Sequence, residues 1–327
     1  MNKNSSSRLE YAGSAKWWLT EVKGARLFDR FIVSMLKITY FGIRFSLRLL
    51  LGRKRRDKLL AKRNFNYKDF LYRSTGILRL QKILLLEIAA PRHDYRIHCP
   101  LNKEDFIVMT KHEEDIIELF HPSRGDIVID IGAHMGRYTI PSSKYAGPNG
   151  KVIAIEAHPY NFKMLERNIS LNRLTNVTAI KCALYSKREK VKLYLPDEKQ
   201  GYTMHHSVMS NYLITKYSEK MEQNYIEVQA YPLDELIRTT DVKQVNWIKI
   251  DVEGAEYEVL KGAEDILTAS RRISILVEIH GKDTYEPTMK LLKSNSFEIE
   301  FEKTYDNGEK HVLARKVPYS ERGNNMA

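Results

Sequence analysis

From Asp126 to Lys316 the chain alternates between short apolar runs and stretches in which apolar residues recur every three or four positions. The runs DIVIDIG (126–132), KVIAIEA (151–157), NVTAIKCAL (176–184), VNWIKIDVEG (245–254) and RRISILVEIH (271–280) are rich in Val, Ile and Leu, as strands buried on both faces are. The intervening segments read as helices: GRYTIPSSKYA (136–146), with a break expected at Pro141; YNFKMLERNISLN (160–172); AEYEVLKGAEDIL (255–267) as one helix; and a helix near Glu286–Lys293. SFEIEFEK (296–303) and HVLARKV (311–317) read as a closing strand pair. Upstream, YRIHCPL (95–101) and DFIVMT (105–110) read as two strands joined by Asn-Lys-Glu, and HEEDIIELF (112–120) as a short amphipathic helix.

The ends of the strands recur at an almost constant interval. Asp130 to Glu156 and Glu156 to Cys182 are each 26 residues, and Asp251 to Glu278 is 27. That interval is one strand–helix unit of a parallel sheet. Cys182 to Asp251 is 69, so residues 186–240 carry an insertion. Within it KVKLYLP (190–196) and YIEVQAYPLDEL (225–236) read as strands, with an aperiodic stretch between them that suits a lid. Five parallel units and a terminal antiparallel hairpin predict an α/β, Rossmann-like, seven-stranded sheet rather than a dinucleotide-binding one.

Charge divides the chain differently. Residues 1–63 hold 16 Lys and Arg against 4 Asp and Glu, so the whole net charge of +12 lies there; residues 64–327 are balanced, 37 against 37. A pI near 9.4 therefore describes a neutral body with a basic arm. Residues 27–51 are apolar enough to raise the question of a span, but Arg30, Lys37, Arg44, Arg48 and Arg55 fall within roughly 40° of one another on a helix. A narrow cationic stripe on an apolar helix, followed by RKRRDKLLAKR (53–63), suits a helix lying on an anionic membrane surface through residues 27–63. The alternatives are a packed helical subdomain, a true span and a nucleic-acid arm. No apolar core near the start leads to a cleavage site, so a cytoplasmic protein, peripheral on the cytoplasmic membrane face, is expected. The domain plan is thus a basic extension (1–63), a connector and entry unit (64–120), a main domain (121–317) and a tail (318–327). With 43% hydrophobic residues the chain can bury a core, and its two cysteines, Cys99 and Cys182, exclude a disulfide scaffold and a four-cysteine zinc site.

The first strand of the body ends in Asp130-Ile131-Gly132-Ala133-His134-Met135-Gly136. This is D-x-G-x-x-x-G, not the G-x-G-x-x-G fingerprint of pyrophosphate binding. A carboxylate before the turn disfavours a pyrophosphate and suits a ligand carrying an ammonium and a sulfonium, as S-adenosylmethionine does. Glu156, at the end of the second strand, can accept two ribose hydroxyls, and the third strand end, at Ala183, would flank an adenine. GDIVIDIGAHMGRYTI, IEAHPYNFKMLERNISLN, YPLDEL and above all WIKIDVEGAEYEVLKGAEDIL resemble the FkbM family of S-adenosylmethionine-dependent methyltransferases, over roughly Glu113 to His280. The resemblance implies a methyltransferase sheet, O-methylation of sugars, glycans or related hydroxyls, and cofactor contacts at Asp130, Gly132, Gly136 and Glu156; His134 belongs to the same loop. The chain departs from the family in having His134 where Asn is common and Glu156-Ala157-His158-Pro159 where E-P-N-P is common.

Methyl transfer from a sulfonium is an in-line displacement, so positioning carries much of it, and an alcohol acceptor gains from a general base. The candidates lie at the ends of strands four and five: Asp251, Glu253, Glu278 and His280, with His280 preferred by its ordinary pKa. Asp251 and Glu278 could alternatively hold Mg²⁺, though no metal is expected. Glu256 reads as a structural acid in a helix's first turn. The expected acceptor is a glycan or lipid-linked glycan hydroxyl. A nucleic-acid methyltransferase is the rival, made less favourable because the chain has no D/N-P-P-Y/F tetrapeptide to stack on an extruded base. A non-catalytic membrane adaptor is a second rival.

Overall fold

The computed structural model describes residues 35, 38–41, 85–89, 95–100, 114–195, 224–305 and 308–316. The chain divides into two compact units, residues 1–110 and 111–327. In the first unit β1 (Leu85–Ala89) pairs antiparallel with β2 (Arg96–Pro100). The strand expected over YRIHCPL is present, but its partner precedes it; DFIVMT lies outside the described residues. So do nearly all of the basic extension, the tail 318–327 and the centre of the insertion, where a lid was expected. Of the extension, Met35 and residues 38–41 are helical, with Tyr40 buried and Met35, Ile38 and Phe41 exposed. Among the described residues no helix is long and apolar enough to cross a membrane.

The second unit runs α1 (Glu114–Ile117), β3 (Ile127–Ile131), α2 (Thr139–Ala146), β4 (Lys151–Ile155), α3 (Pro159–Leu171), β5 (Val177–Ile180), β6 (Ala183–Leu184), β7 (Glu189–Tyr194), β8 (Tyr225–Tyr231), α4 (Leu233–Arg238), β9 (Trp247–Ile250), α5 (Glu256–Lys261), α6 (Glu264–Ala269), β10 (Ile273–Ile279), α7 (Lys282–Ser294), β11 (Glu298–Thr304) and β12 (Lys310–Lys316). Seven strands form one sheet in the order β11-β12-β10-β9-β3-β4-β5. Neighbours from β10 through β5 are parallel, and β12 is antiparallel to both β10 and β11. The chain leaves β3 toward β4 and β5, then returns to β3's other side with β9. The C-terminal ends of β3 and β9 therefore meet at the point where the strand order reverses, where open α/β sheets bind ligands.

Strand alternation gives the two faces different chemistry. One register row reads Ile155, Ile131, Ile250, Val277, Val312, and another Ile153, Ile129, Ile248, Ile275, Ala314. These rows pack against Leu233 and Ile237 of α4, Val259 and Leu260 of α5, Leu267 of α6 and Leu292 of α7 in the main core. Each such buried aliphatic side chain contributes roughly 1.5–3 kcal/mol. On the opposite face Val128, Val152, Trp247, Leu276 and Leu313 pack with Ile116 and Phe120, and Ala154 packs with Ala133 and Leu165 of α3. Toward the C-terminal ends this face turns polar: Ala154, Asp130, Lys249, Leu276 and Leu313 share a row, and Glu278 lies opposite His311 in the next.

Several elements depart from the sequence reading for local reasons. Pro141 does not break α2, because as its third residue it lacks an N–H that would have no intrahelical acceptor anyway. The helix expected over 255–267 is two helices: Gly262 ends α5, and a Cβ there would collide with the carbonyl oxygen of Tyr185. NVTAIKCAL likewise splits, β5 joining the main sheet while β6 pairs with β8 in a separate three-stranded sheet with β7. β7, β8 and α4 make up most of the described part of the insertion, where YIEVQAYPLDEL is a strand only as far as Tyr231 and is helical from Leu233. Cys99 and Cys182 are free and buried.

Candidate active site

The loop after β3 folds against two neighbours at once. Gly132 has φ 76°, and a Cβ on it would strike the backbone carbonyl of Asp251 at the end of β9. Gly136 has φ 98° and sits against the side chains of Leu165 and Ile140. Both glycines are thus required by the packing of the loop itself. Between them His134 takes φ 50°, a left-handed conformation that His and Asn tolerate better than most residues. Its N–H donates to Glu156 Oε2 at 2.8 Å, and the N–H of His158 donates to Glu156 Oε1 at 2.8 Å. Glu156 is buried, and burial pushes its carboxyl up to about 7 against these two donors. Asp130 is buried more completely: its carboxylate accepts the Thr139 hydroxyl and so ties the strand end to the first turn of α2. Burial raises it to about 6 despite Thr139 and the charge of Lys249. Ala183 lies on β6, opposite Ala230 of β8.

At the ends of β9 and β10 a second group of ionisable side chains is packed into the polar face. Lys249 is 1% exposed, with Nζ 3.8 Å from both Asp251 Oδ2 and Glu278 Oε2. Glu278 Oε2 also lies 3.0 Å from His311 Nε2, and Glu278 Oε1 lies 3.2 Å from His280 Nε2. His280 Nδ1 is 2.9 Å from Glu256 Oε1, and its Nε2 is 3.6 Å from Glu253 Oε2. Glu256 Oε1 accepts the N–H of Gly254 as well, so this acid holds both the imidazole and the turn after β9. That turn is itself constrained, with Glu253 at φ 54° and Gly254 at φ 105°.

The charges decide one another's protonation. Burial alone would depress His280, but Glu253, Glu256 and Glu278 together hold it well above the usual histidine range. Burial would raise Glu278, but hydrogen bonds from His280 and His311 hold it well below the carboxylate range. Asp251 goes the other way: burial, then the charge of Glu278, push it up, against Lys249 and His280. Its side chain is still 34% exposed, whereas Lys249, Glu278 and His280 are nearly closed off. The cluster thus combines an imidazole held toward its charged form, a carboxylate held toward its ionised form beside Lys249, and one partly open acid, Asp251, that holds its proton more strongly than usual.

The structure therefore brings Asp251, Glu278 and His280 together, with one ligand atom from each within 4.8 Å of the others, close enough to hold a cation. The ammonium of Lys249 already stands beside both acids. It joins Glu156 to the glycine loop through His134. Lys249, Glu256 and His311 were not singled out from the sequence as parts of a site. Lys249 was hidden in a run otherwise read as buried strand, where a lysine inside Trp-Ile-x-Ile-Asp was the available signal. His311 is found only through the antiparallel register that sets it against Glu278.

A parallel sheet extended by an antiparallel hairpin, with a glycine loop and a buried acid at the switch point, defines a chain of the S-adenosylmethionine-dependent methyltransferase class. Residues 130–306, more than half of the chain, match the methyltransferase FkbM domain, and the chain belongs to that family. It is 29% identical to Methyltransferase 1 of Beauveria bassiana over 148 residues, 42% of this chain and 58% of that protein, so it spans little more than half of that relative. It is 26% identical to the hexuronic acid methyltransferase AglP of Haloferax volcanii over 206 residues, 62% of this chain and 77% of the other. Among solved structures, the FkbM methyltransferase of Methylobacillus flagellatus is similar, with 16% identity, a TM-score of 0.42, and coverage of 60% of this chain and 45% of that one. S-Adenosylmethionine is the cofactor of this class, and Glu156 fits it: each of its oxygens accepts one backbone N–H and keeps capacity for a ribose hydroxyl.

Proposed function

We propose that this chain methylates an alcohol oxygen of a glycan or lipid-linked glycan. The observation that carries the reading is Asp251: a partly exposed carboxyl whose proton affinity is raised by burial and by Glu278, at the strand end where a ligand of this sheet would lie. An alcohol must lose its proton as it attacks, and a base is most effective when its pKa lies near the working pH. His280, held as an imidazolium, is not that base in its resting state. Glu278 raises the proton affinity of Asp251 and His280 opposes it, while Glu256 holds the imidazole. When bound, S-adenosylmethionine supplies an already activated methyl group. Glu156 and the backbone of the 132–136 loop would hold its nucleoside, and Asp251 would take the acceptor proton. The similarity to a protein named a hexuronic acid methyltransferase supports a sugar hydroxyl as the acceptor.

We also propose that the basic extension lies on an anionic membrane surface. Its exposed helical Met35, Ile38 and Phe41 and the concentration of the +12 charge in residues 1–63 support this. The test of the catalytic reading is incubation with methyl-labelled cofactor and separated host glycans and lipids. Label in an alkali-stable ether of a glycan fraction is expected, with D251N lowering the rate by about a hundredfold or more. Label confined to RNA or protein, or full activity in D251N, would overturn it.

A further inference from the structure

Arg137 has no part in the chemistry described so far. It follows Gly136 in the loop between β3 and α2, the loop whose His134 N–H binds Glu156. Only 8% of the residue is exposed, and the buried Nε and Nη1 have no hydrogen-bond partner among the described residues. Lys249 and His280, by contrast, each have a carboxylate oxygen within 4 Å. A guanidinium cannot escape the cost of burial by losing its proton, and its planar fork matches a carboxylate. A buried arginine whose Nε and Nη1 are left without an acceptor, in the loop that binds Glu156 through His134, has the character of an anion receptor.

We propose that Arg137 binds a ligand carboxylate through charge-assisted hydrogen bonds. The assignment rests on the methyltransferase reading, which offers two sources of that group. One is the methionyl carboxylate, the single anionic group of S-adenosylmethionine; the other is the carboxylate of an acidic sugar acceptor. In the first case Arg137 anchors the amino-acid end of the cofactor while Glu156 holds its ribose. In the second it selects uronic acids over neutral sugars.

The experiment compares the full-length chain with R137M and R137K. Calorimetry measures S-adenosylhomocysteine, which carries the carboxylate, and methylthioadenosine, which lacks it. Thermal shift compares glucuronate with glucose in the presence of S-adenosylhomocysteine. A cofactor role predicts that R137M weakens S-adenosylhomocysteine by about tenfold or more and leaves methylthioadenosine unchanged, with R137K intermediate. An acceptor role predicts an unchanged ratio of the two nucleosides and loss of the preference for glucuronate. Either result supports the proposal. The melting temperature of ligand-free R137M separates both from a structural role, because removing a charge that has no partner does not destabilise the chain. A large fall in that temperature, or R137M matching the parent in every binding measurement, overturns the proposal. If the parent chain takes up neither nucleoside, the cofactor reading fails first and the assignment of Arg137 falls with it.

Discussion

The ionisable residues at the ends of β9 and β10 are set by the charges around them more than by their intrinsic chemistry. A histidine at the end of a strand invites the role of base, yet His280 is enclosed by three glutamates and retains its proton at neutral pH. The acid beside it has the adjustable proton. Because burial and then Glu278 raise Asp251, its carboxylate form grows as pH rises through the elevated pKa, and if Asp251 is the base as proposed, activity should climb on that limb. E278Q removes the neighbouring charge. The acid limb of kcat/KM should then move to lower pH by about one unit, whatever the loss in absolute rate. A limb that stays in place would show that another group titrates there. Glu156 makes a separate prediction. If Glu156 holds the nucleoside as proposed, E156A should weaken S-adenosylhomocysteine by about tenfold or more in calorimetry and leave the pH limb alone.

At the scale of elements, close approach explains what periodicity did not. The loop after β3 and the end of β9 come together only because Gly132 has no side chain. G132A must either separate the two strand ends or distort the loop, and should lower stability by about 3 kcal/mol or more in denaturant unfolding. Gly125 is the control: its φ of 87° is also left-handed, but a Cβ would meet nothing within 4 Å. G125A should therefore cost only about 1 kcal/mol, the price of the backbone conformation alone. Equal effects would mean that contact with Asp251 is not what Gly132 provides. The same kind of contact divides 255–267 into α5 and α6 at Gly262, where the apolar spacing alone describes one continuous helix. The parallel strands β3, β4, β9 and β10, by contrast, were readable almost residue by residue, because burial on both faces leaves a run of Val and Ile.

At the scale of the molecule, the balanced charge of residues 64–327 and the +12 on residues 1–63 predict different partners for the two parts. The full-length chain should float with vesicles containing anionic lipid at moderate salt and lose that association as salt is raised; the same vesicles made of neutral lipid should leave it in solution. Deletion of residues 1–63 should abolish flotation without changing the affinity for S-adenosylhomocysteine. A truncated chain that still floats would place the membrane contact elsewhere. A full-length chain that does not float at all would leave the basic extension to another partner.

Taken alone, the sequence determined the sheet, its period, its terminal hairpin, the glycine loop and the acids at the strand ends, because these follow from burial and from local backbone chemistry. It placed Asp251, Glu278 and His280 on neighbouring strand ends for the same reason. It could not show that Lys249 and His311 complete their charge set, since those contacts depend on strand order and on an antiparallel register between residues 33 apart. Nor could it show which acid keeps its proton. Protonation in a buried cluster is decided by distances of about 3–4 Å between side chains from three separate stretches, 249–256, 278–280 and His311, and only the tertiary structure sets those distances.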